Sequence, residues 1–263
     1  MRRRWSLKIA EPFGIGVYVH VTFLLIVGWV ALLQVRAGGG AAAVAGSLAF
    51  VLAIFGCGVL HELGHALAAR RFGIRTRDII LLPIGGVARL ERMPDDPRQE
   101  LVVALAGPAV NVGIATALGL WLWLTGSLVS ADRVGLLIGP FLERLLAVNV
   151  VLVLFNLVPA FPMDGGRVLR ALLALRIGPL RATRLAAGLG KALAVVFGVV
   201  GFFFNPFLLF IALFIWSGAA QEVAMAEARA RSEWIIVHPG GPTRPLTPEE
   251  LLAIELERRR GWR

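Results

Sequence analysis

The sequence has one cysteine in 263 residues, Cys57, so no internal disulfide can hold the fold. It has one tyrosine and only two lysines, Lys8 and Lys191, beside 25 arginines. Charged residues make up 17% of the chain, against about 25% in a soluble domain. That shortage argues against an ordinary water-facing surface. Acidic residues are scarcer still, 17 of them, and the formal charge is +10. No internal repeat and no appended soluble domain is visible.

Apolar residues fill the gap. They account for 57% of the chain, with a mean hydropathy of +0.76. About 20 predominantly apolar residues carry a helix across ~30 Å of hydrocarbon. Six runs approach that length, over 17–35, 41–69, 99–125, 141–160, 187–204 and 206–226. The last two are parted by the turn pair Asn205-Pro206. The first run has no small-residue cleavage site close behind it and reads as a retained span. The expected fold class is an all-α polytopic membrane protein of six transmembrane helices, with a small membrane-associated β-hairpin or sheet between spans two and three. Residues 1–230 would form the membrane core and 231–263 a cytoplasmic tail.

The basic charge could suggest nucleic acid, but its distribution argues otherwise. With a cytoplasmic N-terminus and six spans, every arginine and lysine except Arg36, Arg133 and Arg144 falls on the cytoplasmic side. That is the positive-inside pattern, so no nucleic-acid partner is expected. Abundant Ala and Gly with arginine in place of lysine has the look of a GC-rich bacterial genome. The expected location is a bacterial inner membrane, with both termini cytoplasmic and membrane lipid as a constant partner.

Between the spans, Ile15, Val17, Val19 and Val21 alternate with Gly16, Tyr18, His20 and Thr22. This period of two predicts a strand before or at the first span. Residues 77–92 are apolar, too short to cross, and broken by Pro83-Ile84-Gly85-Gly86. They predict a β-hairpin dipping into the membrane, which must line protein or a wet cavity. Residues 165–186 intersperse arginines with leucines and predict an amphipathic helix on the cytoplasmic surface. Thr247-Pro248-Glu249-Glu250 opens an expected short helix over 247–260.

The chemistry centres on His61-Glu62-Leu63-Gly64-His65. On a helix, positions i and i+4 share a face, so both imidazoles can reach one ion. Two histidines and a carboxylate are a common catalytic zinc set that leaves a position for water. Glu62 is placed to act as general base on that water. The bland alternative is a structural pair of buried histidines. It would bury three polar groups in an apolar run with no ion to offset them.

A third ligand is needed, and few acidic residues lie in or beside the runs: Glu62, Glu143, Asp164 and Glu222. Glu143 falls at the outer end of span four, away from the histidines at the inner end of span two. Glu222 falls near the inner end of span six. Asp164 lies just beyond the inner end of span four, at the depth of the histidines. It sits in Asn156-Leu157-Val158-Pro159-Ala160-Phe161-Pro162-Met163-Asp164-Gly165-Gly166, whose prolines and glycines would end the helix and aim the carboxylate. The alternative is that Asp164 merely caps the next helix.

The pairing of His61-Glu62-Leu63-Gly64-His65 with the segment from Asn156 to Gly166 resembles the site-2 protease family, from about Gly14 to Glu227. Leu82-Pro83-Ile84-Gly85-Gly86-Val87 and Ala104-Leu105-Ala106-Gly107-Pro108-Ala109-Val110-Asn111 carry it further. The resemblance implies an intramembrane zinc metalloprotease, with His61, His65 and Asp164 holding one Zn2+ and Glu62 as base. Asn156 would orient substrate or the developing oxyanion, or else simply bond local backbone. Substrates would be transmembrane or membrane-associated proteins, cleaved in regulated intramembrane proteolysis. The sequence resembles the compact branch, lacking PDZ or paired CBS domains, so regulation would fall to a separate partner or to prior trimming of the substrate, with a homodimer as a further candidate partner. The 77–92 hairpin could accept an unwound substrate as an added strand. Two rival readings are a membrane metal-ion transporter and a non-proteolytic scaffold of the same fold. His20 reads as an interfacial side chain, and Gly107, Pro108 and Asn111 as helix packing.

Overall fold

The structure, a computed structural model, describes residues 5–83, 85–127, 139–237, 247, 249–250 and 253. The chain forms two compact units. The first contains Met1–Pro94 and Leu105–Phe155, the second Asp95–Ala104 and Asn156–Arg263.

The first unit opens with strands β1 (Ser6–Ala10) and β2 (Gly16–His20), then helices α1 (Phe23–Arg36) and α2 (Ala41–Arg71). Strands β3 (Thr76–Leu82) and β4 (Gly85–Leu90) follow, then α3 (Pro97–Leu124) and α4 (Phe141–Asn156). The alternation at 15–22 does make a strand, and the 77–92 segment makes a hairpin. What the periodicity did not disclose is that they join. The sheet is four-stranded and mixed, in the order β1-β2-β3-β4, with β2 parallel to β3 and the outer pairs antiparallel. Val17 lies opposite Ile79, and Ile79 opposite Ala88. Ile15, Val17 and Ile79 pack on Leu63 and Ala66, so the sheet lies against the end of α2 that carries the histidines.

Local signals account for the turns. Gly73, at a positive φ of 72°, follows the last turn of α2, and the Ile74 N–H donates back to Ala69 O. Pro97 takes the first position of α3 while Asp96 accepts from the Arg98 N–H at 2.8 Å. On the sheet, Asp78 is fully buried and the Arg89 guanidinium bonds it through two nitrogens. That hydrogen bond raises the Arg89 pKa above its ordinary value.

The second unit holds the first turns of α3, then α5 (Asp164–Ile177), α6 (Pro179–Phe203) and α7 (Phe207–Val237). The single amphipathic helix expected over 165–186 is divided at Gly178-Pro179. Gly178 adopts φ 89°, and Pro179 starts α6. Within this unit Arg170 is buried and donates to Glu100 Oε1 and Glu222 Oε2, both at 2.7 Å. A buried cation between two carboxylates ties α3, α5 and α7 together.

Among the described residues, four helices are long and apolar enough to cross a membrane: Ala41–Arg71, Pro97–Leu124, Pro179–Phe203 and Phe207–Ser232. The first and fourth runs make helices of 14 and 16 residues. At 1.5 Å per residue these reach ~21 and ~24 Å. The first is short because residues 17–20 are drawn into β2. The fourth ends at Asn156, ahead of Pro159. Of the helix expected over 247–260, most residues lie outside those described. Its start is a reciprocal cap: the Thr247 N–H donates to Glu250 Oε2 at 2.7 Å and the Glu250 N–H to Thr247 Oγ1 at 3.3 Å.

Candidate metal centre

His61 and His65 are both buried on one face of α2, as their four-residue spacing requires. Their Nε2 atoms lie 3.1 Å apart. Two nitrogens at ~2.0–2.1 Å from a tetrahedral zinc are separated by ~3.3 Å, so the rings stand close to the spacing of a shared ion.

The space in front of the two nitrogens is kept open by Gly107 of α3. A Cβ on Gly107 would fall 2.2 Å from His65 Nε2 and 2.6 Å from His61 Nε2. These are nearly metal–ligand distances, so a methyl group there would fill the position an ion needs. Gly64 serves the same end from α2. Its Cβ would meet Ala106 O at 2.7 Å and Val110 Cγ2 at 2.8 Å, so glycine lets α2 and α3 approach this closely.

Glu62 is half-buried and points to the sheet. Its Oε2 accepts the Ala88 N–H of β4 at 2.9 Å, and a Cβ on Gly86 would lie 2.9 Å from its Cγ. The hairpin therefore lies directly over Glu62.

Asp164 belongs to the second unit. It is the buried first residue of α5, with Met163 in the capping position before it. The segment 157–163 folds back over it: a Cβ on Gly165 would lie 2.3 Å from Val158 O, and one on Gly166 2.6 Å from the Ala160 carbonyl carbon. Asn156, also of this unit, is the half-buried last residue of α4. Glu222 is held by Arg170, and Glu143 is buried in the first turn of α4. His20 bonds locally, with Nδ1 2.7 Å from Thr22 Oγ1.

The sequence reading missed the polar chain behind His61. Its Nδ1 lies 2.5 Å from Asn111 Oδ1, and Asn111 Nδ2 donates to Asn149 Oδ1 at 2.8 Å. Asn149 Nδ2 donates to Leu145 O at 2.8 Å and lies 3.4 Å from Cys57 Sγ. Asparagines inside the apolar runs of α3 and α4 were the available signal. Asn111 also stands one turn from Gly107, on the same face.

Comparison with known proteins yields consistent matches. The model of peptidase family M50 matches residues 49–135 and 126–197. A zinc metalloprotease of Methanocaldococcus jannaschii is 36% identical over 224 residues, covering 85% of this chain and 62% of that protein. The stage IV sporulation protein FB of Bacillus subtilis is 30% identical over 128 residues, 48% of this chain and 41% of its own length. The solved site-2 protease from Methanocaldococcus jannaschii superposes with a TM-score of 0.59 at 35% identity, covering 83% of this chain and 95% of the other. The chain thus spans less than two thirds of the length of these curated relatives.

Proposed function

The chain belongs to peptidase family M50, and from that premise we propose that it is an intramembrane zinc-dependent endopeptidase. The observation that carries the proposal is the pair of imidazole nitrogens 3.1 Å apart, facing the space that Gly107 leaves open, with Glu62 beside them. His61, His65 and Asp164 are the proposed ligands: each is buried and each offers one donor atom. Two imidazoles and a carboxylate suit zinc by donor type.

When bound, zinc supplies Lewis acidity, polarising a carbonyl and bringing the pKa of water towards ~7. Glu62 takes the proton of the attacking water on a carboxylate oxygen and returns it to the leaving amine nitrogen. Asn156 is proposed to donate its amide N–H to the developing oxyanion. The hairpin over Glu62 supports strand addition as the way an unwound substrate reaches the base. Charged or proline substitutions in 77–92 that left cleavage unchanged would count against that route.

Substrates are proposed to be transmembrane or membrane-associated proteins, cleaved in regulated proteolysis under a separate partner or within a homodimer. The topology proposed is six spans, α1 and α4 among them, in a bacterial inner membrane. Both termini and the active site face the cytoplasm. Residues 1–230 form the membrane core and 231–263 the tail.

The test is co-expression with tagged single-span proteins, comparing the wild type with Glu62→Gln. A product formed only by the wild type supports the protease. Identical products, or none from either, together with bound zinc moving across vesicles would replace it with transport.

A further inference from the structure

We propose that Asn149 and Asn111 form a one-way hydrogen-bond relay that fixes His61 with its proton on Nδ1, so that Nε2 presents its lone pair to the metal. This rests on the metal-site reading above and makes both asparagines positioning residues rather than ligands.

The direction follows from one group that has no choice. Leu145 O is a backbone carbonyl and can only accept. The Asn149 atom 2.8 Å from it is therefore the amide nitrogen. The second hydrogen of that nitrogen faces Cys57 Sγ, a weak acceptor, at 3.4 Å. Asn149 then has its oxygen towards Asn111, 2.8 Å away, and only the Asn111 nitrogen can donate to it. That leaves Asn111 Oδ1 facing His61 Nδ1, and an amide oxygen there requires a proton on Nδ1.

Both asparagines are fully buried, so no water competes for either amide. Flipping either one would set like groups against each other inside an apolar helix packing. The relay crosses three helices, from α4 through α3 to α2, and ends on the nitrogen behind the one that faces Gly107. A neutral imidazole left to itself prefers its proton on Nε2, where it would occupy the ligand lone pair. A ligating histidine is held in register by the bond its other nitrogen makes. Here that bond is directed by a helix carbonyl two residues removed from the site.

The full chain in detergent, labelled with 15N-histidine, tests this. It has four histidines, so the ring signals can be assigned by single substitutions. In the metal-free wild type, His61 is expected protonated on Nδ1; protonation on Nε2 overturns the proposal. Zinc affinity is then measured by chelator competition. Asn149→Leu, similar in size and apolar, should weaken zinc by about 10–100-fold while keeping helix content. Asn149→Asp keeps an acceptor for Asn111, and the hydrogen of its neutral carboxyl can still donate to Leu145 O, so it should bind zinc more tightly than Asn149→Leu. A packing role predicts the reverse order, since leucine fills apolar space between the helices and a carboxyl group does not. Wild-type affinity in Asn149→Leu overturns the relay. If Asn149→Asp fails to fold, the leucine variant and the wild-type tautomer still decide. A wild type that binds no zinc would instead sink the metal-site reading, while the tautomer measurement continues to test the relay.

Discussion

Replacing Gly107 by alanine should abolish zinc binding while leaving the chain folded. The added methyl carbon would stand 2.2 Å from His65 Nε2 and 2.6 Å from His61 Nε2 and His65 Cε1. Non-bonded carbon contacts settle near 3.5–4.0 Å, so the overlap exceeds about 1 Å. Either the rings swing away or α3 backs off from α2. Overpacking of this kind costs roughly 1–3 kcal/mol, offset in part by alanine's helix propensity, worth about 1 kcal/mol over glycine. Stability should therefore change modestly. Metal affinity should not, because a carbon now occupies the space both donors face. The expected loss exceeds the roughly 100-fold typical of outer hydrogen-bond partners. Metal content and chelator competition on purified protein read the effect, and circular dichroism reports the fold. Gly113→Ala is the control. It lies on the same helix, its added Cβ would meet no atom within 4 Å beyond its chain neighbours and the helix's own backbone, and it should bind zinc normally. Wild-type affinity in Gly107→Ala would refute the placement of the ion between these two rings.

Glu62→Gln should retain zinc and lower cleavage by about 10²–10⁴-fold, as loss of a general base does; a drop in zinc content instead would mean Glu62 holds the metal. Gly64→Ala drives a methyl against Ala106 O, a backbone atom that cannot rotate aside. It should lower stability by about 1–3 kcal/mol, read by thermal unfolding in detergent, and an unchanged midpoint would contradict the close α2–α3 approach. Arg170→Ala leaves Glu100 and Glu222 buried without their shared cation. The expected cost is about 3–5 kcal/mol, partly recovered by adding Glu100→Gln; no recovery would mean the arginine acts through packing on Phe161 instead.

Much of this protein was legible from short-range pattern. The four-residue spacing of His61 and His65 puts both on one face of any helix, whatever surrounds it. The length and apolarity of α2, α3, α6 and α7 are properties of contiguous residues. The Asn156–Gly166 segment announces a helix end through proline and glycine. The tertiary structure decided what depends on rotation and register between distant segments. Nothing in Val17 or Ile79 alone says that β2 pairs with β3 across α1 and α2. The length of α1 depends on that pairing, because residues given to the sheet are lost to the helix. The mix of arginines and leucines over 165–186 predicts one continuous helix, and the division at Gly178-Pro179 appears only in the structure. Gly107 and Asn111 read as packing residues because their function lies in what α3 presents to α2. A glycine's role there is the space it leaves, and a hydrogen-bond direction is set by partners far apart in the chain. Composition and periodicity carry no information on either.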